Sequence, residues 1–322
     1  MIRIKRGRPP ADLKVYLASV PGTSLAMVSP ADLESERASV FFTDPKNYAG
    51  NRKLTRESFA FRVYKDADLA AALEQVFGPK CAYCESRFAH VTPKDIEHFR
   101  PKSEIDTGAE TLAPGYYWLA SDWDNLLVSC PDCNRGRRFE VPGQPKKIRL
   151  GKSTQFPLTR EAGRIRSAVA RLGSEEALRL LIDPCKDQPE RHLTFDADGL
   201  VHPRLDHAGR PSRKGAISIP VYALQRKALV EERRVTLNSL RTTVEELRLA
   251  IQTRNGLVAR GITGELMETN AESIRLIKLR LRELLRPEAP YLGMLRGWIR
   301  SRKAAGDFAD LERCGIDLEV LL

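Results

Sequence analysis

The chain has 322 residues, 42% of them hydrophobic and 30% charged, with a formal net charge of +11 and a pI of about 9.5. That hydrophobic fraction excludes a disordered or fibrous chain, and the length suits one large domain or two ordinary ones. The basic balance favours polyanionic partners, nucleic acid first among them.

No apolar run approaches the length of a bilayer span. Met1-Ile2-Arg3-Ile4-Lys5-Arg6 is not followed by the apolar stretch of a secretory signal. The expectation is therefore a cytoplasmic protein with no membrane partner. Its thiols stay reduced, and paired cysteines are then metal ligands rather than disulfides.

In chain order, residues 1–65 form a first segment. Its first 50 residues, rich in Pro, Ser and Asp, read as irregular structure with one short helix. Residues 66–78 read as a helix: Leu69, Leu73 and Val76 recur at helical spacing, and Gly78-Pro79 ends the run. Residues 66–152 make the second segment, which carries the chemistry. Residues 153–322 make a third, mostly helical one.

Within the third segment, Ile165, Val169 and Leu172, then Ala177, Leu180 and Leu181, predict helix over 161–182. A break at Gly173-Ser174 gives Ser174 as an N-cap. Leu193-Thr194-Phe195 and Leu200-Val201 flank good turn chemistry in Asp196-Ala197-Asp198-Gly199 and predict a hairpin. Residues 216–286 predict an antiparallel helical hairpin. Leu237, Leu240, Val244, Leu247 and Ile251 line one helix, and Ile274, Ile277, Leu281 and Leu284 the other. Arg254-Asn255-Gly256 and the stretch from Gly261 to Gly264 supply the break. The apolar stripes read as ordinary core, with a docking face for a partner as the alternative.

Two CxxC pairs, Cys81/Cys84 and Cys130/Cys133, lie 45 residues apart. Zinc takes four ligands in a tetrahedron, and each CxxC turn offers two thiolates to one ion, so the four cysteines predict a closed structural Zn²⁺ site. Such a site has no open coordination position, and the catalysis must lie elsewhere. Cys185 and Cys314 fit neither pair and read as small buried residues.

The spacer between the pairs contains Lys94-Asp95-Ile96-Glu97-His98-Phe99-Arg100-Pro101-Lys102, then Trp123-Asp124-Asn125, and Asn134-Arg135-Gly136-Arg137-Arg138 follows the second pair. Hydrolysing a phosphodiester needs an activated water, a cation for the phosphate oxygens and stabilisation of the leaving oxygen. His98 can take a proton from water near neutral pH. Glu97 and Asn134 offer hard oxygen ligands suited to Mg²⁺ or Mn²⁺. Asn125 can bridge backbone groups and hold the loop that aims His98. Arg100, Lys102, Arg135, Arg137 and Arg138 are candidates for phosphate contacts, within a basic stretch that runs from Arg135 to Lys152. Gly115-Tyr116-Tyr117-Trp118 reads as packing under the loop, with base stacking as the alternative.

These residues resemble the HNH endonucleases of the zinc-containing class. The pattern is CxxC, an acidic residue beside His, a central Asn, and CxxC followed by Asn and basic residues. The resemblance implies an α+β fold in which a ββα-metal, treble-clef-like core sits in a mostly helical chain. In that core, residues 94–98 form the first strand and the region of 123–129 the second, and a helix over 131–139 carries Asn134 towards His98. It also implies that His98 is the base and Asn125 orients it, and that Glu97 (or Asp95) and Asn134 hold one catalytic Mg²⁺ or Mn²⁺.

A second resemblance starts at Leu181-Ile182-Asp183-Pro184-Cys185-Lys186-Asp187 and His192-Leu193-Thr194-Phe195. It is to the HNH nuclease subunits of Septu-type and retron-associated anti-phage systems, and it implies a defence role beside an ABC-like ATPase. The expectation is thus an endonuclease, with DNA favoured as substrate. A non-catalytic nucleic-acid-binding adaptor on the same knuckle is the alternative.

Overall fold

The structure, a computed structural model, describes residues 1–22, 26–47 and 59–321. The chain begins with the short strands β1 (Val20–Pro21) and β2 (Met27–Val28), which pair antiparallel, and the helix α1 (Pro30–Thr43). Ser29 caps α1 by accepting from the Asp32 amide, with Pro30 at the first helical position. The single helix expected in the first 50 residues is thus a 14-residue one. Next comes α2 (Ala67–Phe77), where the spacing predicted it. Asp66 caps its start, Gly78 ends it with positive φ, and Leu69, Leu73 and Phe77 are buried along one face.

The central region holds β3 (Asp95–His98), the hairpin of β4 (Ile105–Asp106) with β5 (Thr111–Leu112), and β6 (Leu126–Ser129). The short helix α3 (Pro131–Asn134) and the hairpin of β7 (Arg137–Phe139) with β8 (Ile148–Leu150) follow. Strand β3 runs antiparallel to β6, pairing Asp95 with Ser129 and His98 with Leu126. The helix expected over 131–139 stops at Asn134. Beyond it, Arg137–Phe139 exchanges backbone hydrogen bonds with Ile148–Leu150, and the chain cannot be helical and paired at once.

The expected helix over 161–182 is also overturned. Only a 3-10 turn (Glu161–Gly163) and the short α4 (Gly173–Glu176) form there, and Leu172, not Ser174, precedes α4. The reason is a buried polar network. Glu175 is fully buried and accepts from the Ile165 amide, the Tyr116 hydroxyl and Arg100, while Arg164 donates to the Phe156 carbonyl. These side-chain bonds satisfy groups that a helix would have claimed, and Val169, read as part of an apolar stripe, is 93% exposed.

The expected hairpin is present as β9 (Leu193–Phe195) and β10 (Val201–Pro203), antiparallel. Helices α5 (Arg213–Val221), α6 (Lys227–Ala259), α7 (Glu265–Leu285), α8 (Leu292–Ala304) and α9 (Ala309–Arg313) complete the chain. Helices α6 and α7 make the predicted helical hairpin. The turn lies at 260–264, where Gly261 and Gly264 take positive φ, and α6 continues through Gly256. The buried residues of α6 include Leu237, Leu240, Val244, Leu247 and Ile251, and they join one core cluster with Leu69, Leu126 and Leu181. No helix among the described residues is long and apolar enough to cross a membrane.

Candidate active site and metal centre

The four cysteines of the two CxxC pairs are buried, and their sulfurs all lie within 4.8 Å of one another. A tetrahedral zinc with Zn–S near 2.3 Å needs sulfurs about 3.8 Å apart, and Cys84 Sγ lies 3.8 Å from Cys130 Sγ. The group can hold a metal such as zinc. The backbone builds it from two turns: Cys81 N–H donates to Ser86 O and Ala82 N–H to Val128 O, which ties the first turn to β6 and hence to the second pair.

Arg226, at the start of α6, donates towards three of the sulfurs: Cys133 and Cys84 at 3.5 Å and Cys130 at 3.8 Å. Four thiolates on a divalent ion leave a net charge of −2 in the interior, and a buried guanidinium offsets part of it. Nothing in the spacing of the cysteines points to Arg226, which is 93 residues from Cys133. Cys185 is half-buried, but Cys314 is exposed, contrary to expectation. His202 is exposed and paired with Asp196 at 2.9 Å.

A cleft of about 660 Å³ opens beside the knuckle and is lined by Asp95, Glu97, His98, Lys102, Asn134 and Arg135, among others. Strand β3 delivers Asp95, Glu97 and His98, and α3 delivers Asn134 directly after the last cysteine. The His98 imidazole is held at both nitrogens: Nε2 is 2.9 Å from the Ala120 carbonyl and Nδ1 is 3.1 Å from Lys102 Nζ. A carbonyl only accepts, so Nε2 carries the proton and the neutral ring keeps its lone pair on Nδ1. Burial pushes the imidazole well below its usual 6.5, and the Lys102 charge adds to the push. Burial also brings Lys102 down to about 8. The Tyr64 ring meets His98 edge-on at 4.7 Å and lies under the Lys102 ammonium at 4.4 Å.

Asn125 is buried and fully engaged. Its Oδ1 accepts from the Arg100 amide at 2.7 Å, and its Nδ2 donates to the carbonyls of Arg100 and Leu119, each at 3.0 Å. It therefore ties the chain just after His98 to the segment whose next residue, Ala120, grips the His98 ring.

Glu97 is buried, and its Oε1 lies 2.6 Å from Lys152 Nζ, which also donates to the His98 carbonyl at 2.9 Å. Burial raises the Glu97 carboxyl above its usual 4.5, with Lys152 opposing. Asp95 accepts from Asn134 Nδ2 at 3.0 Å and takes a two-pronged contact from Arg135, at 3.0 and 2.8 Å. The cleft thus gathers two carboxylates and an amide, oxygen donors of the kind a hard divalent cation takes, beside an imidazole; among the described residues Asp95, Glu97 and His98 do not converge as the four cysteines do. Side-chain cations, Lys152 and Arg135, balance the two carboxylates.

The candidate phosphate contacts divide. Arg100 is turned inwards: it is 2% exposed and pairs with Glu175 and Glu176 at 2.9 and 2.7 Å, so its guanidinium cannot meet a phosphate. Lys102 faces the cleft. Arg135, Arg137 and Arg138 are exposed, with Arg137 on Asp132 at 2.8 Å. Lys152, read from sequence as the end of a basic surface stretch, is fully buried. Gly151 puts it there: with φ +115, a Cβ at this position would lie 2.2 Å from the Arg135 carbonyl, and only glycine lets the chain pass that close. Tyr116 and Tyr117 are buried, with Tyr116 donating to Glu175 at 2.8 Å, so both pack inside rather than face bases.

No family model matches the chain. It is 35% identical to Septu protein PtuB of Bacillus mycoides (strain KBAB4) over 235 residues, 72% of this chain. It is 32% identical to Septu protein PtuA of the same organism over 163 residues, 50% of this chain. The chain is thus a relative of both Septu proteins, spanning 66% of the length of PtuB and 20% of that of PtuA.

Proposed function

We propose that the chain is the nuclease component of a Septu-type anti-phage system: a metal-dependent HNH endonuclease that hydrolyses phosphodiester bonds, DNA first. The observation that carries this reading is the state of His98. It is a buried, neutral imidazole with its N–H committed to the Ala120 carbonyl and its lone pair facing a cleft shared with Glu97 and Asn134. In this reading β3 and β6 with α3 serve as a ββα-metal core with a short helix, which the β3–β6 pairing and the cysteine group support.

In this reading His98 Nδ1 takes the proton of the attacking water. Asn125 keeps the ring aimed. Lys102 rests on the same lone pair, and an incoming phosphate draws its ammonium away, so the base is freed only when substrate arrives. Glu97 and Asn134 would hold Mg²⁺ or Mn²⁺, with Asp95 as the substitute for Glu97; when bound, the ion would supply charge stabilisation of the phosphate and leaving oxygens. Exposed Arg135, Arg137 and Arg138 contact the nucleic-acid backbone. Kinship with two different Septu proteins supports membership of a multi-component system, and an ABC-like ATPase is the partner we assign.

The test is cleavage of plasmid in the presence of Mg²⁺ or Mn²⁺, by the chain alone and with its operon neighbour. We expect cleavage that His98→Ala abolishes while zinc content and melting temperature stay unchanged. Cleavage that survives His98→Ala removes the assignment of the base. Salt-dependent binding with no cleavage under any of these conditions selects the adaptor reading.

A further inference from the structure

A second cavity, of about 770 Å³, lies away from the cleft and shares no lining residue with it. It sits among the hairpin β9–β10, helix α6 and helix α8. Five arginines line it: Arg191, Arg204, Arg241, Arg300 and Arg302. Two acids, Glu190 and Asp196, share the lining, and Asp196 is already engaged with His202 at 2.9 Å.

Most of this positive charge is unspent. Arg302 pairs with Asp307 at 2.9 Å. Among the described residues, Arg191, Arg204, Arg241 and Arg300 enter no ion pair; Arg204 and Arg241 have neutral acceptors only, the Glu190 carbonyl and Asn238, each at 3.2 Å. Some exposed arginines elsewhere pair with carboxylates, Arg137 with Asp132, Arg275 with Glu272 and Arg280 with Glu246, and others such as Arg138 and Arg260 enter no ion pair among the described residues; what sets the cavity apart is that its arginines are gathered around one space. Five guanidinium groups against two carboxylates leave an excess of positive charge around the cavity, which favours the entry of an anion.

The neutral groups point the same way. Trp298 lines the cavity, and its indole N–H is buried without an acceptor. Neighbouring Arg296 likewise has its Nε buried and unpartnered. The lining therefore offers donors in excess of its acceptors. The ligand that complements it is rich in acceptor oxygens and negatively charged, and guanidinium groups suit phosphoryl oxygens by geometry. The volume falls in the range of small-molecule pockets, roughly 300–1,000 Å³.

We propose that this cavity binds a small polyphosphorylated anion, at a site separate from the nuclease cleft. The proposal stands whether or not the cleft is a nuclease. The experiment is calorimetric titration of the zinc-loaded full chain at fixed ionic strength with sodium tripolyphosphate. Parallel titrations use ATP and a 5′-phosphorylated single-stranded 12-mer.

Wild type should bind tripolyphosphate saturably. R204Q/R300Q should bind it at least tenfold more weakly, since each lost guanidinium removes charge-assisted hydrogen bonds, while Arg260→Gln, at the exposed end of α6, leaves binding unchanged. Both cavity positions are exposed and free of ion pairs, so the variant keeps its fold, which an unchanged melting temperature checks. ATP binding more tightly than tripolyphosphate, with the same loss in R204Q/R300Q, identifies a base-bearing ligand; equal affinities identify the polyphosphate alone. Absence of saturable binding, or equal affinity in wild type and variant, overturns the proposal. So does an oligonucleotide that binds more tightly than tripolyphosphate through the same arginines.

Discussion

The cysteine knuckle and the His98 cleft lie side by side, share α3, and are built on opposite plans. At the knuckle the sulfurs are committed: four buried thiols face one another, Arg226 closes over them, and four-coordination of one ion leaves no position for substrate. At the cleft the same chain leaves charges poised rather than spent. His98 Nδ1 meets the Lys102 ammonium, burial brings Lys102 down to about 8, and Glu97 and Asp95 are balanced by Lys152 and Arg135. Closure gives stability and no chemistry, whereas incomplete satisfaction gives chemistry and depends on the closed site for its geometry. Asn134, next to Cys133 and bonded to Asp95, is where the two plans meet.

The comparison fails if the two sites can be damaged alike. The largest effect should come from the knuckle. Chelating the zinc, or Cys130→Ser, is expected to remove on the order of 10 kcal/mol of folding free energy and with it all function. Circular dichroism and metal content measured together check this, and a folded, zinc-free chain would show that the closed site is dispensable.

His98→Ala should lower cleavage by roughly 10²- to 10⁴-fold with zinc content and melting temperature intact. That separates chemistry from support, and loss of zinc in this variant would blur the distinction.

Lys152→Met should destabilise the fold by about 3–5 kcal/mol, because it strands a buried carboxylate, Glu97, without its partner. Urea unfolding measures this, and the loss should shrink when Mn²⁺ is added, since the ion takes over the charge of Lys152.

The smallest effect concerns a network outside both sites. Burial works to raise Glu176 and Asp187, yet contacts from Arg100 and Arg179 to the first, and from Arg179 and Lys214 to the second, hold each carboxyl down at about 2. A carboxyl depressed in the folded state adds stability above its unfolded value, and that stability disappears as pH falls from about 4 towards 2. Each is expected to account for about 2 kcal/mol over that window. Asp187→Asn should therefore flatten the difference between urea midpoints at pH 7 and pH 3.

Much of the cleft was legible because its residues are close in sequence to the cysteines. Once the sulfurs meet, β3 and α3 must lie together, and Glu97, His98 and Asn134 come with them. Helices α2, α6 and α7 and the β9–β10 hairpin were legible from periodicity and turn chemistry, which are local. The helix expected over 161–182 failed for the opposite reason: its stripe of apolar residues was real, but Glu175 and Arg164 found better partners in Tyr116, Arg100 and the Phe156 carbonyl. Arg100 looked like a phosphate contact because it follows His98 by two residues, and burial against Glu175 and Glu176 takes it out of reach.

The amino-acid order alone determined which thiols form one centre, which histidine stands among oxygen donors, and where the long helices run. Each of these depends on spacing along the chain. Tertiary structure decided the charge balance. It placed Lys152 against Glu97 through the glycine at 151, set Arg226 over sulfurs far away in sequence, and gathered around one cavity four arginines that enter no ion pair among the described residues. Electrostatic partners act through distance in space, screened or exposed by burial, and no periodicity records that.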